Sequence, residues 1–324
     1  MQFFLLKATF STFNSLLCDL INQNTLNNLI NLMKTFTYLF YYLSICLLIS
    51  CTSKKQDDTE LVLEDSAEKE DYRLIWSEEF NIDGKPDTSS WSYEHGFVRN
   101  EELQWYQSEN ATCKDGMLVI TAKEEKIPNP KFTEDSNNWK ENRAFANYTS
   151  ASLNTRGKMN FKYGLVEVKA KIDTTMGMWP AIWTLGESKG WPSNGEVDIM
   201  EFYRSDSTAV IMANAAWGDH WTKVIWDSQE TPLNHFLKKD TDWAEKFHIW
   251  KMDWTENYIK LFLDDELLNE IDLTKSLNGD GYNPFHQPHY LLLNLAIGSN
   301  GGDPSESTFP RKYWVDYVRV YAKE

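Results

Sequence analysis

Cysteine is scarce in this chain of 324 residues, and three of the four, Cys18, Cys46 and Cys51, precede every tryptophan. Cys113 stands alone in the remainder of the chain, which excludes a disulfide framework there. Basic residues are also few: 32 Lys and Arg face 48 Asp and Glu, a formal charge of −16. That balance argues against nucleic acid and other polyanions as partners, unless a local basic pocket offsets it, and makes a neutral polymer easier to accept. No His/Cys cluster, phosphate-binding glycine loop or nucleophile elbow occurs, so metal, nucleotide and serine-hydrolase signatures are missing. Beyond Tyr72 there is neither a repeat nor a long run of helical periodicity, which argues against a bundle or solenoid.

What the chain does have is aromatic residues and an unusual row of acids. Fourteen Trp, fifteen Tyr and seventeen Phe make an aromatic-rich chain, enough to serve both a sandwich core and a sugar-binding cleft, and every Trp lies at or after Trp76. In Gly195-Glu196-Val197-Asp198-Ile199-Met200-Glu201-Phe202, three carboxylates sit among residues that otherwise read as a strand. Side chains alternate faces along a strand, so Glu196 and Asp198 share one face and Val197 and Ile199 fill the other. Glu201 has the wrong parity. One extra residue, a β-bulge near Met200, returns it to the face of the other two. An exposed strand with incidental charges would have little use for Val, Ile, Met and Phe on its opposite side.

Two carboxylates facing one groove suffice to cleave a glycosidic bond, one attacking or activating water and the other protonating the leaving oxygen. Separations of about 5–5.5 Å give retention and about 6.5–9.5 Å give inversion. Spacing in sequence does not choose between them: at about 3.3 Å per residue, Glu196 and Glu201 have Cα atoms on the order of 13 Å apart, and both side chains must lean inward. Asp198, between them, is placed to keep the two protonation states apart.

Glu196-Val-Asp-Ile-Met-Glu201, preceded by Met178-Trp179-Pro180-Ala181-Ile182-Trp183-Thr184-Leu185-Gly186, closely resembles the active-site region of family 16 of the glycoside hydrolases, in its bulged, laminarinase-like branch. Further segments resemble that family in order: Trp76-Ser-Glu-Glu-Phe80, Asn100-Glu-Glu-Leu-Gln104-Trp-Tyr106, Gly116 to Lys123, Tyr163 to Lys169, Leu293 to Gly298 and Val315 to Tyr321. The resemblance covers residues 73–324. It implies Glu196 as nucleophile, Glu201 as general acid and then base, Asp198 as modulator, and net retention, with no cofactor for catalysis. It also places Trp179 and Trp183 along the cleft and the Asn-Glu-x-Gln loop, here Asn100, Glu102 and Gln104, at its non-reducing side. Period-2 spacing puts these last three on one strand face, although a hydrogen-bonded structural loop would read the same way. Asn294, flanked by leucines, is a buried amide that needs partners, at the cleft floor or on a neighbouring strand. Asp316, with an acid near Glu79, is the candidate pair for the structural calcium that many members of that family carry.

Strand patterns fill the same region. Leu165 to Ile172 alternates apolar Val166, Val168, Ala170 and Ile172 with charged residues, Tyr258 to Leu263 and Leu267 to Ile271 flank a hairpin turn, and Tyr290 to Ile297 reads as a central strand covered on both faces. Residues 244–248 or 273–277 could add a helical turn. The expected fold is all-β, one antiparallel β-sandwich of jelly-roll type whose concave sheet forms the substrate cleft.

The N-terminal part reads differently. Met33-Lys34 followed by the apolar run Phe36 to Ile49 has the form of an export signal over residues 33–50, and Leu48-Ile-Ser-Cys51 resembles a bacterial lipobox. Cys51 is then the lipidated first residue, and residues 1–32 an upstream extension from a start codon placed too early. A transmembrane anchor is the competing reading, for which the apolar run is short against the usual span of about 20 residues. Residues 51–72, rich in charge and poor in large apolar side chains, read as a tether. Lys54-Lys-Gln-Asp-Asp58 behind the lipidated Cys resembles signals that send lipoproteins to the outer surface, so the expected location is exported and lipid-anchored at the outer-membrane cell surface. The expected partners are a polysaccharide and, through the lipid alone, a membrane, with the chain acting as a monomer.

Two departures from the family pattern bear on substrate. Laminarinase-like relatives usually carry an arginine where this chain has Ser152, and histidines where it has Ile211-Met-Ala-Asn-Ala-Ala-Trp217-Gly-Asp-His-Trp221. Asn214, Trp217, His220 and Trp221 are candidates to replace those contacts. Three functions fit these residues: an endo-hydrolase of a β-1,3- or mixed β-1,3/1,4-glucan; the same chemistry on a β-galactan of agar, porphyran or carrageenan type; or a non-catalytic sugar-binding module on the same fold. Transglycosylation stays open within the first two, since water and a sugar hydroxyl compete for one covalent intermediate.

Overall fold

The structure, a computed structural model, describes residues 71–324. The expected start-codon extension, export signal, lipidated Cys51 and most of the tether lie outside the described residues.

Two sheets face each other. The ten-stranded one contains β1 (Tyr72–Glu78), β3 (Gln104–Tyr106), β4 (Ala111–Lys114), β5 (Met117–Pro128), β6 (Phe145–Ser150), β8 (Gly164–Lys171), β13 (His248–Trp254), β14 (Tyr258–Leu263), β15 (Glu266–Asp272) and β17 (Arg311–Lys323). The seven-stranded one contains β2 (Ser92–Tyr93), β7 (Ser152–Asn154), β9 (Met178–Gly186), β10 (Glu196–Ser205), β11 (Thr208–Trp217), β12 (Ile225–Pro232) and β16 (His289–Ile297), in the order β12-β11-β10-β9-β16-β7-β2. Pairing is antiparallel with one exception among the described strands: β3 runs parallel to β6. The all-β sandwich is therefore present, with that single departure from antiparallel order.

Alternation in sequence explains which faces meet. In β8, Val166, Val168 and Ala170 are buried, and in β13 Trp250, Met252 and Trp254 are, so both strands turn these residues to one core. Removing such side chains from water is the main stabilising contribution, about 25 cal/mol per Å² of apolar surface. β16 is buried along its whole length. Leu291, Leu293, Leu295 and Ile297 join the core between the sheets, whereas Tyr290 and Leu292 join Ala181 and Trp183 in a second cluster on the opposite face.

Helix is minor among the described residues: one α-helix, α1 (Leu233–Leu237), and four short 3₁₀ turns, one of them at Trp243–Glu245. The turn falls where residues 244–248 were expected to coil. Residues 273–277 form no helix, because Asp272 caps a turn there instead, its Oδ1 accepting from the Thr274 N–H at 3.0 Å.

Candidate active site

A cleft of about 680 Å³ lies on the face of the seven-stranded sheet turned away from the core. Its floor is built by β9, β10, β11 and β16. β10 starts after Gly195, whose φ of +76° suits glycine and where a Cβ would stand 2.9 Å from the Pro284 Cβ. The strand then carries one residue more than its neighbours. Against β9, Asp198 pairs with Trp183 and Met200 with Ile182; against β11, Asp198 pairs with Asn214 and Glu201 with Met212. Ile199 and Met200 are both fully buried in the core, so two consecutive side chains point the same way. Glu196, Asp198 and Glu201 consequently all line the cleft.

Hydrogen bonds fix the acids. The Trp179 indole N–H donates to Glu201 Oε1 at 2.9 Å, and Asn214 Nδ2 donates to both Asp198 Oδ2 at 3.2 Å and Glu201 Oε2 at 3.3 Å. One amide thus bridges two carboxyl groups. Asp198 and Glu201 also hydrogen-bond each other, and Trp191 bonds Glu196. Burial pushes all three acids above the ordinary carboxylate range. Mutual repulsion adds to this, the Glu201 charge acting on Glu196 and on Asp198. Arg99 works against it by favouring ionised Glu196. The shared bond raises Asp198 and lowers Glu201, so the two carboxyl groups hold a proton between them that can sit on Glu201 when the leaving group needs it. Such a row holds fewer than three negative charges near neutrality, as one acid and one base require.

The other candidates divide. Asn214 and Trp179 meet the acids directly. Trp183 lines the cleft, and its indole N–H donates to Asn294 Oδ1 at 2.7 Å, while Asn294 Nδ2 donates to Tyr106 Oη at 3.3 Å. Asn294 therefore faces the cleft and is satisfied from two sides. Asn100 and Glu102 reach the cleft, but not from one strand face: Asn100 and Glu101 have φ of +56° and +53°, a turn, and β3 begins only at Gln104. Gln104 lies outside the cleft lining. Its Nε2 donates to Glu102 Oε2 at 2.6 Å and its Oε1 accepts from the Ile297 N–H at 2.7 Å, so it braces the loop. Trp217 is in the core, edge-on to Phe285, because it has opposite parity to Asn214 on a strand without a bulge. His220 and Trp221 pack against each other in an exposed turn away from the cleft lining.

Sequence reasoning missed Arg99, Trp191, Tyr203, Trp226 and Ser228, all of which line the cleft. Trp191 sits in the loop before β10 and Trp226 on edge strand β12, where no alternation marks them. Tyr203 was readable, two residues beyond Glu201 on the same face.

The calcium expectation fails on donor chemistry. Both oxygens of Glu79 accept from Arg319, at 2.9 and 3.0 Å, and Asp316 pairs with Lys169 at 2.8 Å. Carboxylates already neutralised by cations do not fit a hard divalent ion. No group of three or more acidic, His or Cys side chains assembles elsewhere among the described residues.

A β-sandwich whose cleft floor aligns two upward-shifted glutamates and a bridging aspartate is the working arrangement of an O-glycosyl hydrolase. Residues 99–319 match the Glycosyl hydrolases family 16, and the chain belongs to that family. It is 34% identical to the β-glucanase of Rhodothermus marinus, over 77% of this chain and 85% of that protein. Identity is 30% to the keratan-sulfate endo-1,4-β-galactosidase of Sphingobacterium multivorum, over 83% of this chain and 60% of that one. Among solved structures, a protein described with the endo-acting O-glycanases that human gut bacteria use to initiate mucin breakdown superposes with a TM-score of 0.71 at 32% identity, over 78% of this chain and 92% of the other. The catalytic domain of the Thermotoga petrophila endo-1,3-β-glucanase (laminarinase) gives 0.64 at 31% identity, over 78% and 99%.

Proposed function

We propose that the chain is a retaining endo-hydrolase of a β-glucan with 1,3 or mixed 1,3/1,4 linkages. The observation that carries the reading is the bulge that puts Glu196, Asp198 and Glu201 on one cleft face. Glu196 attacks the anomeric carbon and Glu201 gives its proton to the departing glycosidic oxygen, which leaves a covalent glycosyl-enzyme. Glu201 then takes a proton from water as that water attacks the same carbon, and Glu196 departs as carboxylate. Arg99 and the Trp191 bond favour the ionised nucleophile. Asp198 serves as the proton partner of Glu201. Carboxylates and water complete the cycle, with no cofactor required. Trp179, Asn214, Asn100, Glu102 and Asn294 contact the sugar or hold what does.

The glucan assignment draws on the β-glucanase and laminarinase likenesses. A second reading keeps the mechanism on a β-galactan. It is favoured by the galactosidase relative, by the higher TM-score of the mucin-directed neighbour, and by the departures from the laminarinase-like pattern at Ser152, which holds Glu94, and at Asn214, which lines the cleft. Incubation with laminarin, lichenan, agarose and porphyran separates the two. We expect laminarin or lichenan oligosaccharides, with a β anomer first in the proton NMR spectrum; an initial α anomer would overturn retention, and products from agarose or porphyran alone would overturn the glucan.

We further propose that the enzyme is exported, lipidated at Cys51 and displayed as a monomer on the outer-membrane surface, on the charged-then-apolar run ending in Leu48-Ile-Ser-Cys51. Cells fed an alkyne fatty acid should label the wild-type protein and not Cys51→Ser. Equal labelling of the two would sink the anchor.

A further inference from the structure

Position 152 leaves a question: what occupies the space of the arginine that laminarinase-like relatives carry there. Ser152 Oγ donates to Glu94 Oε2 at 2.6 Å, and the Glu94 N–H donates to the Ser152 carbonyl at 3.0 Å. The same Glu94 oxygen holds the Arg99 guanidinium through Nη2. Arg99 comes from the turn ahead of β3, and its guanidinium carbon lies 4.9 Å over the centre of the Trp183 ring. Trp183 is itself pinned by Asn294. A small residue at 152 thus leaves room for a carboxylate that anchors a cation arriving from elsewhere in the chain. Among the described residues lining the cleft, Arg99 is the only cation.

Three constraints, the Trp183 face, Glu94 and the Glu94–Ser152 bond, fix the guanidinium plane and engage Nη2. Nη1 is buried without a partner. A buried, unmatched donor on a charged group is costly and calls for an acceptor. Because the guanidinium covers the Trp183 ring, whose residue is 8% exposed, the tryptophan serves as a seat for Arg99.

We infer that Arg99 is a specificity-determining residue: its guanidinium, which lines the cleft, donates to a hydroxyl oxygen of an uncharged sugar unit lying beside Trp183, and Ser152 and Glu94 hold it in position. The inference deepens the glycan-hydrolase reading and rests on it. The ring is uncharged because the surroundings are already acidic. Arg99 is paired with Glu94 and lies close to Glu102 and Glu196, so a sulfate or carboxylate would meet three carboxylates and one cation already matched. A hydroxyl oxygen accepts from the guanidinium without that repulsion, and a planar fork held on an aromatic face orients it.

The test compares wild type, Arg99→Lys and Arg99→Met on laminarin, lichenan, agarose and the sulfate-bearing porphyran, with thermal melting as the check on folding. On the best uncharged polymer, Arg99→Met should lose roughly ten- to a hundredfold in kcat/KM, mostly through KM. Its acid limb in kcat/KM should also move to higher pH. The groups facing Glu196 are Glu201, Asp198 and Arg99; removing the one cation lets the Glu196 pKa rise, and ionised Glu196 is the active form. Arg99→Lys should restore the limb, which needs charge, and not KM, which needs the fork. Unchanged KM in Arg99→Met, or equal loss in all parameters with lower melting and an unmoved limb, overturns the inference alone. Preferential cleavage of the sulfated units of porphyran overturns the uncharged ring. A wild-type protein that cleaves none of the four overturns the glycan reading and this inference with it.

Discussion

Glu196→Gln should yield a folded protein that still binds glycan and cleaves it at least about 10⁴-fold more slowly, since loss of a covalent nucleophile removes a whole reaction path. The amide keeps the shape of the side chain and its bond from Trp191 while lacking the attacking oxygen anion. Folding should survive: Glu196 is destabilised by burial in its charged form, so neutralising it relieves the site. The sharper experiment uses Glu196→Gly with azide and an aryl β-glycoside. Azide entering the space left by the carboxylate attacks the same face of the anomeric carbon, and the product is the α-glycosyl azide, the stereochemistry of a trapped first step. A β-azide, or full activity in Glu196→Gln, would remove Glu196 from the nucleophile role.

Glu201→Gln should divide substrates by leaving group. A natural sugar alkoxide leaves only when protonated, so polymer hydrolysis should fall by roughly 10²–10⁴-fold, the usual contribution of general acid catalysis. A dinitrophenyl glycoside, whose phenolate leaves unaided, should form the glycosyl-enzyme at a nearly unchanged rate and then stall, because no base activates the water. A burst of phenolate followed by slow turnover is the signature. The pH dependence has the same origin. Activity requires Glu201 protonated, and burial raises its pKa above the ordinary carboxylate value, so activity persists above that value and fails as pH rises through the raised one. Glu201→Gln has no proton to lose and should abolish that alkaline limb. Equal losses on both substrates with the limb intact would assign the acid elsewhere.

The sequence revealed what repeats along a single strand. The awkward parity of Glu201 pointed to the bulge, because two faces of one strand are a local matter, and the unbroken apolar run of Tyr290 to Ile297 announced a strand buried on both sides. Trp217 was misplaced for a reason that parity could have caught: three residues from Asn214 on an unbulged strand, it must face the other way. Gln104 was misread because the turn at Asn100 and Glu101 breaks the alternation assumed for it. Arg99, Trp191 and Trp226 were beyond reach. Each arrives from a loop or an edge strand, and only the closing of the sandwich brings them to the acids. Ser152 was noticed as a departure, but its meaning lies in Glu94, 58 residues away in sequence.

The paired core residues at the bulge also govern what β10 cannot do. In a regular strand, a slip of two residues keeps every side chain on its own face and costs little beyond mismatched neighbours. Here Ile199 and Met200 point into the core together, so such a slip would carry a Val-Asp or Glu-Phe pair into the bulge and drive a carboxylate into the apolar interior. The extra residue therefore works as a register lock: β10 has one alignment with its neighbours, and the catalytic row has one address in the cleft.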